Sequence, residues 1–432
     1  MKYYLMNKNK ELMILQQNDD DFLFENDFIL LNKEALPFSI YQDLKKNKTH
    51  KEIIKGINEW FSTRIVPNYR DNKDSIFEEY QVRDGYELAN KHYALSLSDQ
   101  YWLKPLDENI SWEDINYFDH YYDGKDFFEA TYGKDSFNTL NIESTSKNKY
   151  TTPNNTLGGQ LKKAWIKVNN ENYLLKGSGT LYAFEPINEV IASKICEIIN
   201  VPYVKYSLKK IQTKRQQTLV SVCKCMINSS QEIIPAYQVL QEENQLMHSK
   251  DDFYVYIKIL EDHGIQNADE KVQKMLMLDY IMLNEDRHLN NFGIIRNVDT
   301  LKWVDVCPIF DTGRSNNCNV TEKYWDFNVG EEVKCFTNYL ISSEELLDLF
   351  TISLQEKSFE RLKELVQIYN QLLKENQSYI QLFDIQIEKL TEGFSRRIDI
   401  LYQKLMEKNL IKKSVLFQAM IFETAFQNLV VL

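Results

Sequence analysis

The chain has 432 residues, with 63 acidic side chains against 51 basic ones and a formal net charge of −12 at pH 7. Hydrophobic residues make up 43% of the sequence, which is enough to fill the cores of two or three folded units. The acidic balance argues against broad, nonspecific binding to nucleic acid. No uninterrupted apolar segment is long enough to cross a bilayer, so a membrane protein is not expected.

The first 148 residues are predicted to form a small α+β accessory module. Aromatic and acidic side chains are concentrated between residues 93 and 137. Because aromatic side chains bury large areas, we expect them to pack this module against the rest of the chain. The alternative is a docking surface for a partner or peptide, on which some aromatics stay exposed. The residues that distinguish the two are Tyr101, Trp102, Trp112 and Tyr117.

A helix and a basic loop are predicted within this module. Apolar residues at helical spacing predict an amphipathic helix over residues 53–65. The pattern Arg-x-x-Pro-x-x-Arg runs from Arg64 to Arg70. We interpret this basic stretch as a solvated surface loop.

Residues 149–260 are predicted to form the first lobe of a two-lobed catalytic region. The lobe opens with a short glycine loop, in which the backbone of Gly158 and Gly159 can approach phosphate oxygens without an intervening side chain. A β-hairpin is predicted next, between residues 162 and 176, and its second strand ends in Lys176. A lysine that closes an apolar strand suits phosphate binding.

A helix is predicted after this hairpin, over residues 185–199. Pro186 suits its first turn, and isoleucine and valine residues supply an apolar face. Glu189 lies near the start of this helix, where its carboxylate can reach Lys176 and orient it. These two residues therefore form a predicted ion pair close to the glycine loop.

Residues 261–432 are predicted to form a helical second lobe that carries a catalytic loop and a metal loop. An apolar helical run over residues 275–283 stops at a loop in which Asp286 and Asn291 are separated by four residues. This is the spacing of a kinase catalytic loop. Two predicted strands follow, and then a second acidic loop that contains Asp311. The remainder of the chain lacks proline and predicts a bundle of several helices.

The residue types in these loops suit phosphoryl transfer. That reaction needs a carboxylate that orients the attacking hydroxyl and accepts its proton, together with oxygen ligands that hold magnesium against the nucleotide phosphates. Asp286 fits the first role, and Asn291 and Asp311 fit the second. We expect Arg287 to be a charge partner and His288 a residue that packs or hydrogen-bonds within the loop. The predicted cofactors are ATP and Mg²⁺.

From about residue 151 to the C-terminus, the chain resembles the HipA-like family of serine/threonine kinases. The resemblance is carried by motifs in the family's order, which read Gly158-Gly159-Gln160, Tyr173-Leu174-Leu175-Lys176, Asn188-Glu189, Asn284-Glu285-Asp286-Arg287-His288, Asn290-Asn291-Phe292-Gly293 and Pro308-Ile309-Phe310-Asp311. It implies an α+β, two-lobed protein-kinase-like fold with a largely helical C-terminal lobe. It also implies that Asp286 is the catalytic base, while Asn291 and Asp311 bind magnesium. Lys176, oriented by Glu189, would pair with the nucleotide phosphates.

Sites of self-phosphorylation are predicted near the glycine loop. Toxin members of the family carry a phosphorylatable serine just before that loop, whereas this chain has Asn155 and Thr156 there. The departure puts regulation by that serine in doubt. The candidate acceptor hydroxyls are those of Thr151, Thr152, Thr156 and Ser178.

The predicted activity is Mg–ATP-dependent transfer of phosphate to a serine or threonine hydroxyl of a protein, including the chain itself. Two alternatives stay open: a catalytically silent ATP-binding regulatory module, and a small-molecule or lipid kinase on the same fold. The sequence does not identify the protein substrate. The resemblance also implies a separately encoded HipB-like helix-turn-helix antitoxin as a partner. This chain shows no helix-turn-helix segment of its own, so direct binding to nucleic acid is not expected.

A cytoplasmic location is expected. The N-terminus interleaves charged residues with short apolar runs, unlike a secretory signal. The six cysteines include no Cys-x-x-Cys pair and are expected to be free thiols in a reducing compartment.

Overall fold

The computed structural model shows an α+β chain with three parts: an N-terminal module (residues 1–140), a sheet lobe (152–230) and a helical lobe (231–413). The predicted α+β class is confirmed, with a largely helical C-terminal lobe and a smaller N-terminal α+β module. The structure describes residues 1–413 except 71, 123, 135, 141–151, 157–160, 214–215, 243–250, 329–331 and 336–339. No helix in this part of the chain has both the length and the apolar composition to span a membrane.

The N-terminal module is built on strands β1 (Lys2–Asn7), β2 (Lys10–Gln17), β3 (Phe24–Leu30) and β4 (Tyr101–Pro105). They form one antiparallel sheet in the order β3-β2-β1-β4. The helices of the module are α1 (Phe38–Lys45), α2 (His50–Ser62), α3 (Lys73–Tyr80), α4 (Gly85–Lys91), α5 (Trp112–Ile115) and α6 (Lys125–Tyr132). Helix α2 begins in a capping box, in which Thr49 and Glu52 exchange hydrogen bonds, and its apolar face packs on the sheet. The predicted amphipathic helix is thus confirmed, with bounds shifted by three residues.

The aromatic residues of the module are buried. Tyr101 lies in the core between the sheet and α2. Trp102, Trp112 and Tyr117 lie in a second core, against which Trp165 of the sheet lobe packs. The packing interpretation is therefore confirmed, and the alternative of an aromatic docking surface is wrong for these four residues.

The two arginines of the basic loop are buried, so the prediction of a solvated surface is wrong for their side chains. Arg64 is 3% exposed and Arg70 is 2% exposed. Arg64 Nη2 donates to Asp99 Oδ2 at 2.6 Å, and Arg70 Nη2 donates to the Lys163 carbonyl at 2.6 Å. Both arginines therefore tie distant segments together. These partners lie 35 and 93 residues further along the chain, beyond the reach of a local pattern.

The sheet lobe consists of β5 (Lys163–Val168), β6 (Glu171–Lys176), α7 (Glu185–Ile199), β7 (Tyr206–Gln212) and β8 (Gln217–Lys224). Its strands form an antiparallel sheet in the order β5-β6-β8-β7. The predicted hairpin and helix are confirmed, and α7 has the bounds that the sequence predicts. Phe127 and Phe128 of the N-terminal module pack against Ala164 and Leu175 of this sheet, so the module and the lobe share a core.

The helical lobe consists of β9 (Gln231–Pro235), α8 (Ala236–Glu242), α9 (Asp251–Asp262), α10 (Ala268–Met282), β10 (Asp286–Arg287), β11 (Gly293–Asn297), β12 (Trp303–Val306), β13 (Glu332–Cys335), β14 (Leu340–Ser342), α11 (Ser343–Asp348), β15 (Leu354–Gln355), α12 (Glu356–Glu375), α13 (Asp384–Glu407) and β16 (Ile411–Lys412). Strands β9, β11 and β12 form an antiparallel sheet in the order β12-β11-β9. The two strands predicted between the loop of Asp286 and Asn291 and the loop of Asp311 are confirmed as β11 and β12. The helices predicted in the C-terminal region are confirmed as α11, α12 and α13.

One large apolar core joins α7 to the helical lobe. Ile187, Ile191 and Ile195 of α7 lie in this core together with the apolar faces of α10, α12 and α13. Because α7 also packs on the sheet lobe, it fixes the position of the two lobes relative to each other. The domain boundary predicted at 148/149 lies outside the described residues, and the one predicted at 260/261 falls inside α9.

Candidate active site

Lys176, at the end of β6, is the centre of an ion-pair cluster between the lobes. Its Nζ donates to Glu189 Oε1 of α7 at 3.0 Å, to Asp311 Oδ1 at 2.8 Å and to the Tyr206 hydroxyl at 3.2 Å. The predicted contact between Lys176 and Glu189 is confirmed. We call Lys176, Glu189, Asp311 and Tyr206 the lysine cluster. It brings a strand, a helix and a loop to one point.

The charges of the lysine cluster support one another. Burial lowers the pKa of Lys176, but the nearby carboxylates of Asp311 and Glu189 outweigh it, so this pKa lies well above its ordinary value. Burial likewise raises the pKa of Asp311, but the ammonium groups of Lys176 and Lys163 outweigh it and hold that pKa below its ordinary range. Lys176 and Asp311 are therefore both charged at neutral pH.

The loop that carries Asp311 is fitted closely to α7. Glu189 Oε2 accepts a hydrogen bond from the Thr312 amide at 3.0 Å. A Cβ atom at Gly313 would lie 3.3 Å from the Glu185 carbonyl oxygen and 3.3 Å from Glu189 Cγ, so a side chain there would crowd the helix. Asp311 itself has φ of +57°, the left-handed region that aspartate tolerates better than most residues. These contacts set the position of its carboxylate.

Arg287 forms a second ion pair beneath the catalytic loop. Its Nε and Nη2 donate to the Asp279 carboxylate at 2.9 to 3.2 Å. Its Nη1 donates to the carbonyls of Asn291 at 2.9 Å and Phe310 at 2.7 Å, and Nη2 also donates to Thr312 Oγ1 at 3.0 Å. One guanidinium group therefore ties both active-site loops to α10. We call Arg287 and Asp279 the arginine cluster.

The prediction that Arg287 is a charge partner is confirmed, but its acidic partner, Asp279, was not identified. The available signal was an aspartate inside an otherwise apolar helical run, since a buried acid requires a partner. Burial lowers the pKa of Arg287, but Asp279 outweighs it and the pKa is raised.

Asp286 and Asn291 lie at the two ends of the catalytic loop. Asn291 Nδ2 donates to the Asp286 carbonyl at 2.9 Å, and the Asp286 amide donates to Asn284 Oδ1 at 3.2 Å. Asn284 in turn donates to Asp279 Oδ1 at 2.8 Å, so the loop is linked to the arginine cluster. The imidazole of His288 accepts from the Asn290 amide at 3.3 Å, which agrees with its predicted role within the loop.

A cavity of about 880 Å³ brings the predicted site residues together. Its lining includes Lys176, Glu189, Asp286, Asn291 and Asp311. The four residues between Asp286 and Asn291 therefore form a loop that places both side chains at the same opening as the lysine cluster. Residues of the N-terminal module and of α8 complete the lining.

A smaller cavity of about 180 Å³ adjoins the first at Lys176 and Asp311. Its apolar lining includes Trp165, Leu174, Val204, Met226, Ile233 and Phe310. None of these residues was predicted as part of the site. Their positions on six separate segments explain why, because no single local motif connects them.

The oxygen atoms at the opening suit magnesium. Asn291 and Asp311 offer an amide oxygen and a carboxylate oxygen, and Mg²⁺ prefers such ligands and completes its shell with phosphates and water. Among the described residues, no group of three or more His, Cys, Asp or Glu side chains is placed to hold a metal.

The predicted acceptor hydroxyls differ in their surroundings. Thr152 is fully buried, and its Oγ1 accepts from Asn154 Nδ2 at 2.7 Å. The Ser178 hydroxyl donates to the Glu185 carboxylate. Thr156 lines both cavities. The remaining predicted site residues, Thr151, Gly158 and Gly159, lie outside the described residues.

Asn188 is a further residue that organises the site. Its Nδ2 donates to the carbonyls of Gly313 and Ser315, both at 2.9 Å. Its Oδ1 accepts from the Tyr369 hydroxyl of α12 at 3.1 Å. In the sequence, Asn188 stands out only as the neighbour of Glu189. In the structure it is buried and hydrogen-bonds both the loop that follows Asp311 and helix α12.

No protein-family model matches the chain, and no curated protein matches it. Among solved structures, it is similar to the Helicobacter pylori proinflammatory kinase CtkA, with 16% identity, coverage of 58% of this chain and 93% of that chain, and a TM-score of 0.42. It is similar to HipA in the Shewanella oneidensis MR-1 toxin–antitoxin complex of HipA, HipB and operator DNA, with 11% identity, coverage of 92% and 96%, and a TM-score of 0.48. A Golgi casein kinase matches with 11% identity, coverage of 58% and 70%, and a TM-score of 0.29. All three TM-scores are below 0.5, and the site is assigned from the contacts within this chain alone.

Proposed function

We propose that the chain is a Mg–ATP-dependent serine/threonine protein kinase that resembles the HipA toxins. The observation that carries the proposal is the lysine cluster at the opening that Asp286 and Asn291 also line. A buried lysine held by a helix carboxylate, next to a loop aspartate, is the arrangement that positions nucleotide phosphates and magnesium in kinases.

Each residue then has a distinct task. Lys176 binds the nucleotide phosphates, and Glu189 keeps its ammonium in place. Asn291 and Asp311 would hold Mg²⁺, and the bound ion would supply positive charge that stabilises the phosphates during transfer. Asp286 orients the acceptor hydroxyl and takes its proton.

The transfer step needs no further reactant, because these groups account for the bond formed, the bond broken and the proton released. The acceptor oxygen forms a bond to the γ-phosphorus while the bond from that phosphorus to the β–γ bridging oxygen breaks. The bridging oxygen keeps the electron pair and leaves as part of ADP. The hydroxyl proton passes to the Asp286 carboxylate. Because no covalent enzyme intermediate is required, positioning and charge stabilisation supply the catalysis.

Thr156 is the acceptor that we favour for self-phosphorylation. It lines the same cavity as Asp286, whereas Thr152 is fully buried and bonded to Asn154. Ser178 is bonded to Glu185 and would first have to release that carboxylate. The Thr156 hydroxyl donates to the Pro153 carbonyl at 2.9 Å, a neutral acceptor that holds it less strongly than the Glu185 carboxylate holds Ser178. Phosphate is therefore expected on Thr156 before either of the others.

The test is incubation of the purified protein with labelled ATP and magnesium, followed by mass spectrometry of its phosphosites. Asp286→Asn is expected to lower the rate of transfer by about a hundredfold to ten-thousandfold, the range for loss of a general base. The matched control is Asp299→Asn, which changes an aspartate in a surface turn. Equal labelling of wild type and Asp286→Asn would contradict the assigned role of Asp286.

The same incubation, repeated with a cell lysate added, separates the two alternatives. ATP binding without transfer to any protein would favour the silent regulatory module. Label that appears in small molecules or lipids of a lysate, but not in proteins, would favour a kinase for those substrates.

The proposal includes a helix-turn-helix partner protein. It rests on the motif resemblance, since the HipA-like toxins are encoded with such an antitoxin. Co-expression of the chain with the product of the adjacent gene, followed by size-exclusion chromatography, tests it. Two separate elution peaks at micromolar concentration would count against a stable complex.

A further inference from the structure

We propose that the N-terminal module forms one wall of the pocket for the nucleotide base, through Ser96, Leu97 and Ser98. This inference rests on the proposed function, because it concerns how that same site holds ATP. It assigns a binding role to a part of the chain for which the sequence predicts only packing. The proposal starts from the smaller cavity beside Lys176.

The volume and the lining of the smaller cavity suit an aromatic base. Apolar side chains of both lobes line it, including Leu174 of β6 and Phe310 of the metal loop. Lys176 and Asp311 lie on the same lining, so a base in this cavity would have its phosphates next to the lysine cluster. The volume of about 180 Å³ is small for a ligand pocket and leaves room for the base alone.

The segment from Ser96 to Ser98 completes this lining. It belongs to the connection between α4 and β4, more than 50 residues before the sheet lobe begins. The hydroxyls of Ser96 and Ser98 lie 2.7 Å apart, and Ser96 Oγ donates to Thr156 Oγ1 at 3.2 Å. Ser96 and Ser98 of the module, together with Thr156, therefore place hydroxyl groups along a cavity whose lining is mostly apolar away from Lys176 and Asp311. A serine or threonine hydroxyl can donate and accept, so it suits the polar edge of a base.

The wall is firmly attached to the segment that joins the two lobes. The Ile233 amide donates to the Ser98 carbonyl at 3.0 Å. Gln100 Nε2 donates to the Gln231 carbonyl at 2.6 Å. Behind the wall, the Asp99 carboxylate accepts from Arg64 Nη2 at 2.6 Å. The bonds to Ile233 and Gln231 cross from the N-terminal module to β9, and the bond between Arg64 and Asp99 supports the wall from within the module.

Arg64, one of the two buried arginines of the basic loop, has a structural role beside the cavity. Arg64 holds Asp99, and Asp99 Oδ2 accepts from the Ser98 hydroxyl at 3.2 Å. Asp99 Oδ1 also accepts from the Tyr101 amide at 2.9 Å. The ion pair thus sets the conformation of the residues that border the cavity.

The experiment measures the binding of Mg–ATP and of Mg–tripolyphosphate to the full chain by calorimetry. Ser98→Leu places a larger apolar side chain at the cavity and retains the backbone carbonyl that Ile233 uses. We expect it to weaken ATP binding by about tenfold or more, because added volume has no space in a pocket of this size. Tripolyphosphate carries no base, so its affinity is expected to change by less than about twofold. Ser75→Leu, at an exposed position of α3, is the matched control and leaves both affinities unchanged.

Ser98→Ala removes the hydroxyl without adding volume, and it keeps the test valid if the leucine variant does not fold. Loss of one hydrogen bond to the base is expected to weaken ATP binding about three- to tenfold. ATP, but not tripolyphosphate, is also expected to slow amide hydrogen exchange in residues 95–100 of the wild type.

The outcomes separate this inference from the proposed function. Wild-type affinity for ATP in folded Ser98→Leu, in a chain that transfers phosphate, would overturn the wall and leave the kinase intact. An equal loss of ATP and tripolyphosphate affinity would also overturn it, because the effect would not concern the base. A wild-type chain that binds neither probe would overturn both proposals.

Discussion

The arginine cluster and the lysine cluster are both buried ion pairs, but they differ in their exposure to the cavities. The arginine cluster is closed: the Arg287 and Asp279 side chains are at most 1% exposed, and all N–H groups of the guanidinium have partners. The lysine cluster is open on one side, because the Asp311 side chain is 27% exposed and lines both cavities. A saturated pair can only hold structure, whereas a pair with an open side can also bind a ligand.

The sharpest way to test this comparison is to remove the guanidinium from the closed cluster. Arg287→Met leaves Asp279 as a buried carboxylate without its charge partner and releases three loop contacts. We expect the free energy of unfolding to fall by about 3–5 kcal/mol, measured by denaturant titration. Arg396→Met, at an exposed position of α13, is the control and is expected to change it by less than about 0.5 kcal/mol. A loss below about 1 kcal/mol for Arg287→Met would mean that the loops are held by other contacts.

The open cluster should contribute less, and in a way that depends on pH. Asp311→Asn exchanges a charged acceptor of the Lys176 bond for a neutral one, with an expected cost of about 1–2 kcal/mol at pH 7. Because the folded-state pKa of Asp311 is lowered, its stabilising charge is fully present above the unfolded pKa of about 3.9 and is lost as the pH falls through the folded pKa. The gap between wild type and variant should therefore be constant from pH 5 to 8 and shrink below about pH 4.

Denaturant titrations at pH 7, 5 and 3.5 measure this gap. Asp305→Asn, which changes a half-exposed surface partner of Lys271, serves as the control. A gap that grows on acidification would show that Asp311 is not held in its charged form by Lys176.

The smallest effect is expected at the edge of the open cluster. Tyr206→Phe removes the hydroxyl that accepts from Lys176 at 3.2 Å and keeps the ring, whose centroid lies 5.2 Å from Nζ. Since two carboxylates still satisfy the ammonium, we expect a loss of only about 0.5–1 kcal/mol. ATP affinity should stay within about twofold of wild type. A loss as large as that of Asp311→Asn would show that Tyr206 contributes as much as a carboxylate to holding Lys176. The control substitution is Tyr254→Phe, at an exposed position of α9.

The sequence predicted the parts of the site that depend on local order. The bounds of α7 follow from Pro186 and the apolar spacing behind it, and the hairpin ends at Lys176 as its pattern indicates. The loop between Asp286 and Asn291 follows the end of an apolar helix, which a local reading detects. The contact between Lys176 and Glu189 was also predictable, because a strand that feeds a helix brings those positions close.

The burial of polar residues could not be predicted in the same way. Arg64 and Arg70 read as a solvated loop because their partners, Asp99 and the Lys163 carbonyl, are far along the chain. Asp279 gave a weak signal as an acid within an apolar helix, yet nothing near it identified Arg287 as the partner. Long-range pairing depends on how the elements pack.

By itself, the sequence determined which elements form and which side chains stand at their ends, since helix periodicity, strand patterning and loop residues are local properties. Only the tertiary structure decided that a loop of the N-terminal module borders the smaller cavity and that one arginine joins both active-site loops. The physical reason is that burial and ion pairing are set by neighbours in space. A lysine at a strand end becomes part of a site only when a helix and a loop bring two carboxylates within about 3 Å of it.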